Sequence, residues 1–249
     1  MSTIEGPQTI SSGALKILGG KLSITSFPNT YSLEFDGVND YIEGGGNSPA
    51  GAFTISFWIK IETPPLNNDT DYWFGGASSG ILLSIHRSIY GQNTVRAGVH
   101  TSFVNAFGNQ LATSAGSITP DVWHQVTFTW DSTTLTIYID GSSSATTKSG
   151  VEDPPAAAWD FGQAASNYSL GIVDEFAMWD TGLSADAVTA IYNSGMPLNL
   201  LKNSGNYTNS GDLVRYYRFE EGSGEAIDST GTANGDITGA SFSSDVPYN

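Results

Sequence analysis

The chain contains 249 residues, which is long enough to bury a full hydrophobic core without a disulfide or a metal to hold it. It has 29 Gly, 11 Tyr, 12 Phe and 6 Trp but only nine Lys and Arg, a composition that favours short strands and tight turns. The absence of Cys excludes thiolate catalysis and Cys-ligated zinc, and the net charge of −16 argues against nucleic acid and anionic membranes as partners.

The N-terminal sequence MSTIEGPQTISSG has neither the basic nor the apolar region of a signal peptide. No run of about 18 apolar residues occurs, so we expect no membrane insertion. Residues 1–30 are polar and rich in Gly and Ser, apart from a mostly apolar patch at 15–24. They are predicted to form an arm with one or two strands, which either docks onto a neighbouring molecule or forms an ordinary edge of the fold.

A series of strands is predicted from residue 31 onward. The clearest pattern lies at residues 53–61, where apolar side chains at the odd positions alternate with mostly polar ones at the even positions. We expect the odd face in the core, and Trp58 on the other face as an exposed or second-layer side chain. Further strands are predicted at 31–35, 41–43, 71–76, 80–85, 94–100, 123–130, 134–139, 142–148, 169–179 and 213–219.

Local signals predict the turns and a single helix. Asp140-Gly141 is a residue pair that favours a two-residue type I′ hairpin turn. Ser184 is predicted to cap the N-terminus of a helix, which Gly195 ends and Pro197 prevents from continuing. The Gly/Ser/Ala-rich stretch that ends at Ser117 is predicted to be a loop or a weak strand.

Five segments occur in the order found in laminin-G-like, concanavalin A-like jelly rolls: residues 35–41 (FDGVNDY), 53–59 (FTISFWI), 123–131 (WHQVTFTWD), 137–141 (IYIDG) and 172–179 (IVDEFAMW). The chain therefore resembles this family over residues 31–195. The resemblance implies an all-β fold, a two-sheet antiparallel jelly-roll sandwich with one short helix in the C-terminal region. We expect this sandwich to span residues 31–249, because the 37 residues from Leu213 cannot build a core of their own.

Residues 213–235 are similar to a segment that usually precedes the first strand of this family. Here the segment follows the helix, an arrangement that resembles that of bacteriophage structural proteins. That resemblance implies a non-enzymatic virion protein, a capsid decoration or tail-fibre-associated component. Such a protein would assemble in the host cytoplasm with phage structural subunits or with copies of itself as a homo-oligomer. The alternative is a secreted, free-standing carbohydrate-binding module, dependent on calcium, that binds cell-surface glycans. A glycan-active hydrolase is a third hypothesis.

Calcium is the metal that the resemblance implies. In related jelly rolls a cation lies between the turn after the first strand and an Asp of a late strand. The matching residues are Asp36, Asp40 and Asp174, with Asn39 or the Gly37 carbonyl as further ligands. Such hard oxygen ligands suit Ca²⁺, which would be a structural cofactor. In the alternative interpretation these Asp side chains hydrogen-bond their own turn or pair with an Arg.

Aromatic side chains can stack on sugar rings, and the candidates for such ligand binding are Trp58, Tyr72, Trp73, Tyr90 and Trp159. In the alternative interpretation they belong to the core or to cross-strand pairs, as most Trp and Tyr of a sandwich do.

Catalysis is not expected. Glucanases related to this family use two carboxylates that alternate on one strand, so that both point into the cleft. Asp174 and Glu175 are adjacent, and adjacent residues of a regular strand face opposite sides of the sheet. His124 has no acid or nucleophile marked beside it in the sequence, so it is predicted to hydrogen-bond across the sheet. We therefore predict that the protein has no catalytic residues.

Overall fold

The computed structural model describes residues 14–18, 21–25, 27–62, 71–75, 79–86, 93–108, 110–146, 151–164 and 167–248. The strands within these ranges are β1 (Ala14–Leu18), β2 (Lys21–Thr25), β3 (Ser32–Asp36), β4 (Tyr41–Glu43), β5 (Phe53–Ile61), β6 (Asp71–Gly75), β7 (Ile81–His86), β8 (Thr94–Val99), β9 (Leu111–Ala112), β10 (His124–Trp130), β11 (Leu135–Ile139), β12 (Ser142–Thr146), β13 (Asp160–Phe161), β14 (Gln163–Ala164), β15 (Asn167–Tyr168), β16 (Leu170–Trp179), β17 (Leu213–Tyr217), β18 (Asp236–Thr238) and β19 (Ser241–Ser243). The helices are α1 (Phe103–Gly108) and α2 (Ala185–Tyr192).

Two large sheets form the body of the protein. The eight-stranded sheet has the order β12-β11-β10-β5-β16-β3-β19, and β17 pairs with β16 beyond the end of β3. The seven-stranded sheet has the order β18-β4-β13-β6-β7-β8-β9. Neighbouring strands run antiparallel in both sheets. The predicted fold class, an all-β antiparallel sandwich, is confirmed.

The main core lies between the two sheets. β5 supplies it with the odd-numbered residues of the 53–61 pattern, all of which are fully buried. Strand β7 supplies Ile81, Leu83 and Ile85 from the other sheet, and β8 supplies Val95, Ala97 and Val99. Because side chains alternate along a strand, the even-numbered residues of β7 and β8 face away from this core. They form the outer face of the seven-stranded sheet.

A second apolar cluster lies between α2 and the outer face of the eight-stranded sheet, and it includes Trp179, Val188, Ile191, Tyr207 and Tyr216. The predicted N-cap is confirmed, because the backbone N–H of Ala187 donates to Ser184 Oγ at 3.2 Å. The helix ends earlier than predicted, because Asn193 takes the left-handed conformation with φ +50°. Gly195 instead ends a short 3₁₀ turn that follows the helix.

Helix α1 was not predicted, because the stretch before Ser117 was expected to be a loop or a weak strand. It is six residues long and packs across β7 and β8 on the outer face of the seven-stranded sheet. Neither of the two helices within the described ranges has the length and apolarity needed to cross a membrane.

The two ends of the described chain differ in their pairing. Strands β1 and β2 pair with each other as a separate two-stranded hairpin. The C-terminal strands join both large sheets, since β17 pairs with β16, β18 with β4, and β19 with β3. The segment from Leu213 therefore contributes to the sandwich itself.

Candidate functional site

Side chains of two neighbouring strands form a continuous patch on the outer face of the seven-stranded sheet. Ser84 of β7 pairs with Arg96 of β8, and His86 pairs with Thr94. Leu82 pairs with Gly98 at the other end of the same two strands. We call these six residues the β7–β8 outer face. Its cross-strand side chains are neighbours, with Cβ atoms about 4.5–5.5 Å apart for direct pairs.

The Leu82 end of the β7–β8 outer face is apolar and covered. Leu82 packs in a small buried cluster with Ala106 of α1 and Ala164 of β14. Gly98 lets the helix approach this closely, since a Cβ there would lie 2.1 Å from the carbonyl oxygen of Ala106. Helix α1 therefore limits the polar part of the face to Ser84, His86, Thr94 and Arg96.

Three hydrogen-bonding atoms of the polar part have no partner in the portion of the chain that the structure describes: Ser84 Oγ, Thr94 Oγ1 and Arg96 Nε. Ser84 is fully buried, Thr94 is 6% exposed and Arg96 is half-buried. A buried polar group without a partner costs about 1–3 kcal/mol, so such groups are uncommon in folded proteins. Three on one patch indicate that polar atoms outside the described residues, from the rest of the chain, from water or from a ligand, complete their hydrogen bonds.

The register extends this patch to the neighbouring strands. Tyr72 of β6 pairs with Ser84, and Ala112 of β9 pairs with Arg96. One row therefore crosses four strands, and with strands about 4.8 Å apart it is about 14 Å long. One of the predicted sugar-binding aromatics, Tyr72, occupies a position in this row, and its role in stacking stays a prediction. Another, Tyr90, lies outside the described residues.

The other three predicted sugar-binding aromatics lie in the interior, so the prediction is wrong for them. Trp73 is fully buried and Trp159 is 1% exposed. The Trp159 ring stacks on Phe74 at 5.2 Å, which places it in the core between the sheets. Trp58 is 4% exposed and stacks on Tyr192 of α2 at 5.7 Å. Their ring faces are covered by other side chains and cannot stack on a ligand.

The five predicted calcium ligands do not form one group. Asp36 pairs with Leu170, four residues before Asp174 on β16, a distance of about 13 Å along the strand. No group of three or more Asp, Glu or His side chains suited to a metal occurs among the described residues. Both aspartates of the first turn instead bind backbone N–H groups. Asp40 Oδ2 accepts from the Asp36 N–H at 2.8 Å, and Asp36 Oδ1 accepts from the Val38 N–H at 2.8 Å.

The remaining predicted ligands of that turn also have structural roles. Gly37 has φ +78°, and a Cβ there would lie 3.1 Å from the Leu170 Cβ. Asn39 and Asp40 lie against Gly239, where a Cβ would meet the Asp40 carboxylate. Burial raises the pKa of Asp40, and the negative charge of Asp36 acts in the same direction. The turn is held by its own hydrogen bonds, and the residues present do not fit the predicted calcium site.

A bulge in β16 overturns one step of the sequence argument against catalysis. The register with β5 passes from Asp174 paired with Trp58 to Ala177 paired with Ser56, so β16 has one extra residue there. Glu175 lies at this bulge and has a left-handed backbone conformation with φ +51°. Val173 and Phe176 on either side both face the core, so Asp174 and Glu175 share the outer face instead of lying on opposite faces.

Both of these carboxyl groups are deeply buried. Asp174 is fully buried and Glu175 is 4% exposed. Tyr216 donates its hydroxyl to Glu175 Oε2, and Arg218 Nε donates to Oε1 at 3.2 Å. Burial raises the pKa of Glu175 to about 7, against the opposing effect of the Arg218 charge. Burial, and then the charge of Glu175, raise the pKa of Asp174 well above its usual range.

Residues just before β3 lie against this acidic pair. Arg218 Nη2 donates to the Pro28 carbonyl, and the guanidinium lies 3.9 Å from the centre of the Phe27 ring. Asn29 Nδ2 donates to the Pro247 carbonyl at 3.2 Å, and Asp174 Oδ1 accepts from the Glu175 N–H at 2.8 Å. These contacts join residues 27–29 and Pro247, near the C-terminus, to the side of β16, and they cover the two carboxyl groups from solvent.

The His124 side chain has the structural role that the sequence predicts. Its Nδ1 donates to Asp140 Oδ2 at 2.8 Å, and its Nε2 accepts from the Thr119 N–H at 3.1 Å. Asp140 and Gly141 have φ of +52° and +72°, as the predicted type I′ turn requires. Since both ring nitrogens of His124 take part in these hydrogen bonds, neither is free to act as a base.

The family model described as "Concanavalin A-like lectin/glucanases superfamily" matches residues 36–189, more than half of the chain. The chain belongs to the concanavalin A-like lectin/glucanase superfamily. The matched region runs from the first turn through most of α2 and includes β7 and β8. No curated protein sequence is significantly similar to the chain.

Solved structures agree with this superfamily fold. A protein from Bacteroides ovatus, provisionally assigned to carbohydrate binding, is 16% identical with a TM-score of 0.67. The match covers 91% of this chain and 63% of that one, so this chain spans less than two thirds of its length. A heptameric pentraxin from Limulus polyphemus, similar to serum amyloid P (SAP), is 18% identical with a TM-score of 0.51, covering 66% of this chain and 82% of its own. At these identities the likeness shows the fold alone.

Proposed function

We propose that the protein is a non-enzymatic carbohydrate-binding module that binds its ligand on the β7–β8 outer face. The observation that carries the proposal is the patch of Ser84, Thr94 and Arg96, whose polar atoms are buried without partners among the described residues. The superfamily includes lectins. The protein from Bacteroides ovatus described above is provisionally assigned to carbohydrate binding.

A sugar is the ligand class that suits this patch. Its ring hydroxyls both donate and accept hydrogen bonds, so they can complete the hydroxyls of Ser84 and Thr94 and accept from Arg96 Nε. Small-molecule binding sites combine apolar surface with a few convergent polar groups that fix the orientation of the ligand. The apolar end formed by Leu82, Gly98 and α1 provides such a neighbour on the same face.

The placement of the acidic groups supports binding without catalysis. A glycosidase needs two carboxyl groups that flank the scissile bond and reach it. Asp174 and Glu175 share one face of the sheet, but both carboxyl groups are buried from solvent. Tyr216 and Arg218 hydrogen-bond the Glu175 carboxyl group. Asp174 and Glu175 also lie in the eight-stranded sheet, whereas the β7–β8 outer face belongs to the other sheet.

A glycan array tests the proposal. The wild-type protein is expected to bind a defined set of glycans, and Ser84→Ala is expected to weaken binding to that set without unfolding the protein. Ser56→Ala is the matched control, because Ser56 is a buried serine on the outer face of the other sheet, 2.7 Å from Thr127 Oγ1. Equal loss of binding in both variants would place the ligand elsewhere, and a wild-type protein that binds no glycan would overturn the function.

Association with a phage particle remains a prediction from the sequence resemblance, as does secretion. A virion decoration protein could present the same sugar-binding face outward, so the two hypotheses differ in location. Detection of the chain in purified particles by mass spectrometry would support the virion assignment. Its absence from particles of the phage that encodes it would leave the free-standing module.

A further inference from the structure

The surroundings of the Arg96 charge differ from those of Arg218, Lys60 and Arg215. Arg218 pairs with Glu175 and Lys60 with Asp245. Arg215 donates to the Gly45 carbonyl at 2.8 Å. None of the described acidic side chains forms an ion pair with Arg96, and its Nε has no partner among the described residues. This is notable in a chain with 25 acidic residues and only nine Lys and Arg.

Arg96 favours a partner that accepts, because it can only donate, whereas the two hydroxyls of the patch can donate or accept. The guanidinium of Arg96 has no acceptor atom, and the hydroxyls of Ser84 and Thr94 each have a proton to donate. A carboxylate presents two acceptor oxygens and no donor, and it carries the charge opposite to that of Arg96. Hydrogen bonds between such charged partners are shorter and stronger than those between neutral groups.

The charge of the whole molecule limits which anions fit. At a net charge of −16, the protein repels a polyanion along most of its surface. A single carboxylate on a sugar ring avoids most of this repulsion, because charges more than about 8 Å away are screened at physiological ionic strength. A densely sulfated or phosphorylated polymer does not avoid it.

From this arrangement we infer that the β7–β8 outer face selects a carboxylate-bearing sugar, of the uronic acid class, through a contact between Arg96 and the ring carboxylate. The inference rests on the proposed function and names the ligand class for the same face. Ser84 and Thr94 bind the carboxylate or a neighbouring hydroxyl, and the ring lies along the row that continues to position 72.

The test is calorimetric titration with a panel of oligosaccharides that each carry a single uronic acid residue, and with their carboxyl-reduced, neutral counterparts. The wild-type protein is expected to bind at least one acidic member about tenfold or more tighter than its reduced partner, as one charged hydrogen bond allows. Arg96→Gln is expected to lose that preference while still binding the neutral sugar. Arg96→Lys keeps the charge and should keep part of the preference, which separates loss of charge from misfolding.

Lys202→Gln is the matched control, because it removes one positive charge from an exposed loop position away from the face. It should leave the preference unchanged. Equal affinity for acidic and neutral members, or binding of neutral members only, would overturn the carboxylate inference and leave the carbohydrate-binding function standing. Binding to no member of this panel or of the glycan array would overturn both. An Arg96→Gln protein that keeps the full preference would show that another residue recognises the acid.

Discussion

Arg218 Nε lies 3.2 Å from Glu175 Oε1 at the bulge of β16, and the Glu175 carboxyl group is buried at this contact. Tyr216 donates to the other oxygen of the same carboxyl group. The left-handed backbone of Glu175, at φ +51°, costs about 1–2 kcal/mol for a residue other than glycine. The two hydrogen bonds offset that cost and join β17 and the residue after it to β16 of the eight-stranded sheet.

The acidic pair at the bulge should make the protein less stable as the pH rises. Burial raises the pKa of Glu175 from 4.5 to about 7, so the folded protein holds this proton to a higher pH than the unfolded chain does. The resulting stability is fully present below about pH 4.5 and is lost as the pH rises toward 7, a change of about 3 kcal/mol for this one group. Asp174 acts in the same direction.

Urea unfolding of wild type and Glu175→Gln between pH 4.5 and 7.5 measures this effect. The variant should show a clearly smaller loss of unfolding free energy across this interval. Glu152→Gln, at a side chain that is 62% exposed, is the control and should follow the wild type. If Glu175→Gln and wild type change in parallel, Glu175 has an ordinary pKa.

The turn between β11 and β12 depends on Asp140 for two reasons. Asp140 has φ +52°, which aspartate tolerates better than alanine, and its carboxylate binds both His124 and the Gln125 N–H. Asp140→Ala is expected to lower the unfolding free energy by about 2–4 kcal/mol. Asp140→Asn keeps the backbone preference and should lose less. Thermal and urea unfolding measure the stability of the two variants. Equal stability of Asp140→Ala and Asp140→Asn would contradict this account.

Trp159 should matter for folding and not for ligand binding. Its ring stacks on Phe74 and Phe176 in the core, so Trp159→Ala is expected to cost about 3–5 kcal/mol of stability. Trp159→Phe preserves an aromatic core and should fold with a smaller loss. Its affinity for any glycan found on the array should equal that of the wild type. A folded Trp159→Phe protein with lost affinity would restore Trp159 as a ligand-binding residue.

Asp36 and Asp174 should behave as independent residues even when calcium is present. They lie near opposite ends of β3 and bind different backbone N–H groups, those of Val38 and Glu175. In a double-mutant cycle of Asp36→Asn and Asp174→Asn, the two losses of stability should add within about 0.5 kcal/mol. Thermal unfolding with calcium and with a chelator measures the cycle. A coupling above this limit that appears only with calcium would show that one ion binds both side chains.

The sequence predicts most of the strands, because their side chains alternate with a period of two. The pattern at residues 53–61 places Trp58 off the main core, and Trp58 packs there beneath α2. The bulge at Glu175 has no such signal, since glutamate is not a residue that commonly adopts positive φ. Helix α1 is short and has no acidic or basic residue in its terminal turns to mark it.

The candidate site was less predictable than the fold. The alternation in β7 and β8 indicates that Ser84, Thr94 and Arg96 avoid the core, but it does not show which of them become neighbours. That depends on the register across the loop between the strands, where a shift of one residue would turn each side chain to the other face. The aromatic residues suggested sugar binding from composition alone, and burial placed three of them in the interior.

The central claim is that the β7–β8 outer face binds a sugar, and Thr94→Val tests it most directly through two measurements on one protein. Because Thr94 Oγ1 has no described partner, its removal should leave the unfolding free energy unchanged or raise it by about 1 kcal/mol, while glycan affinity falls. Thr127→Val, which leaves Ser56 without its partner, should lose about 1–3 kcal/mol of stability with unchanged affinity. Lower stability of Thr94→Val with full glycan affinity would contradict the account.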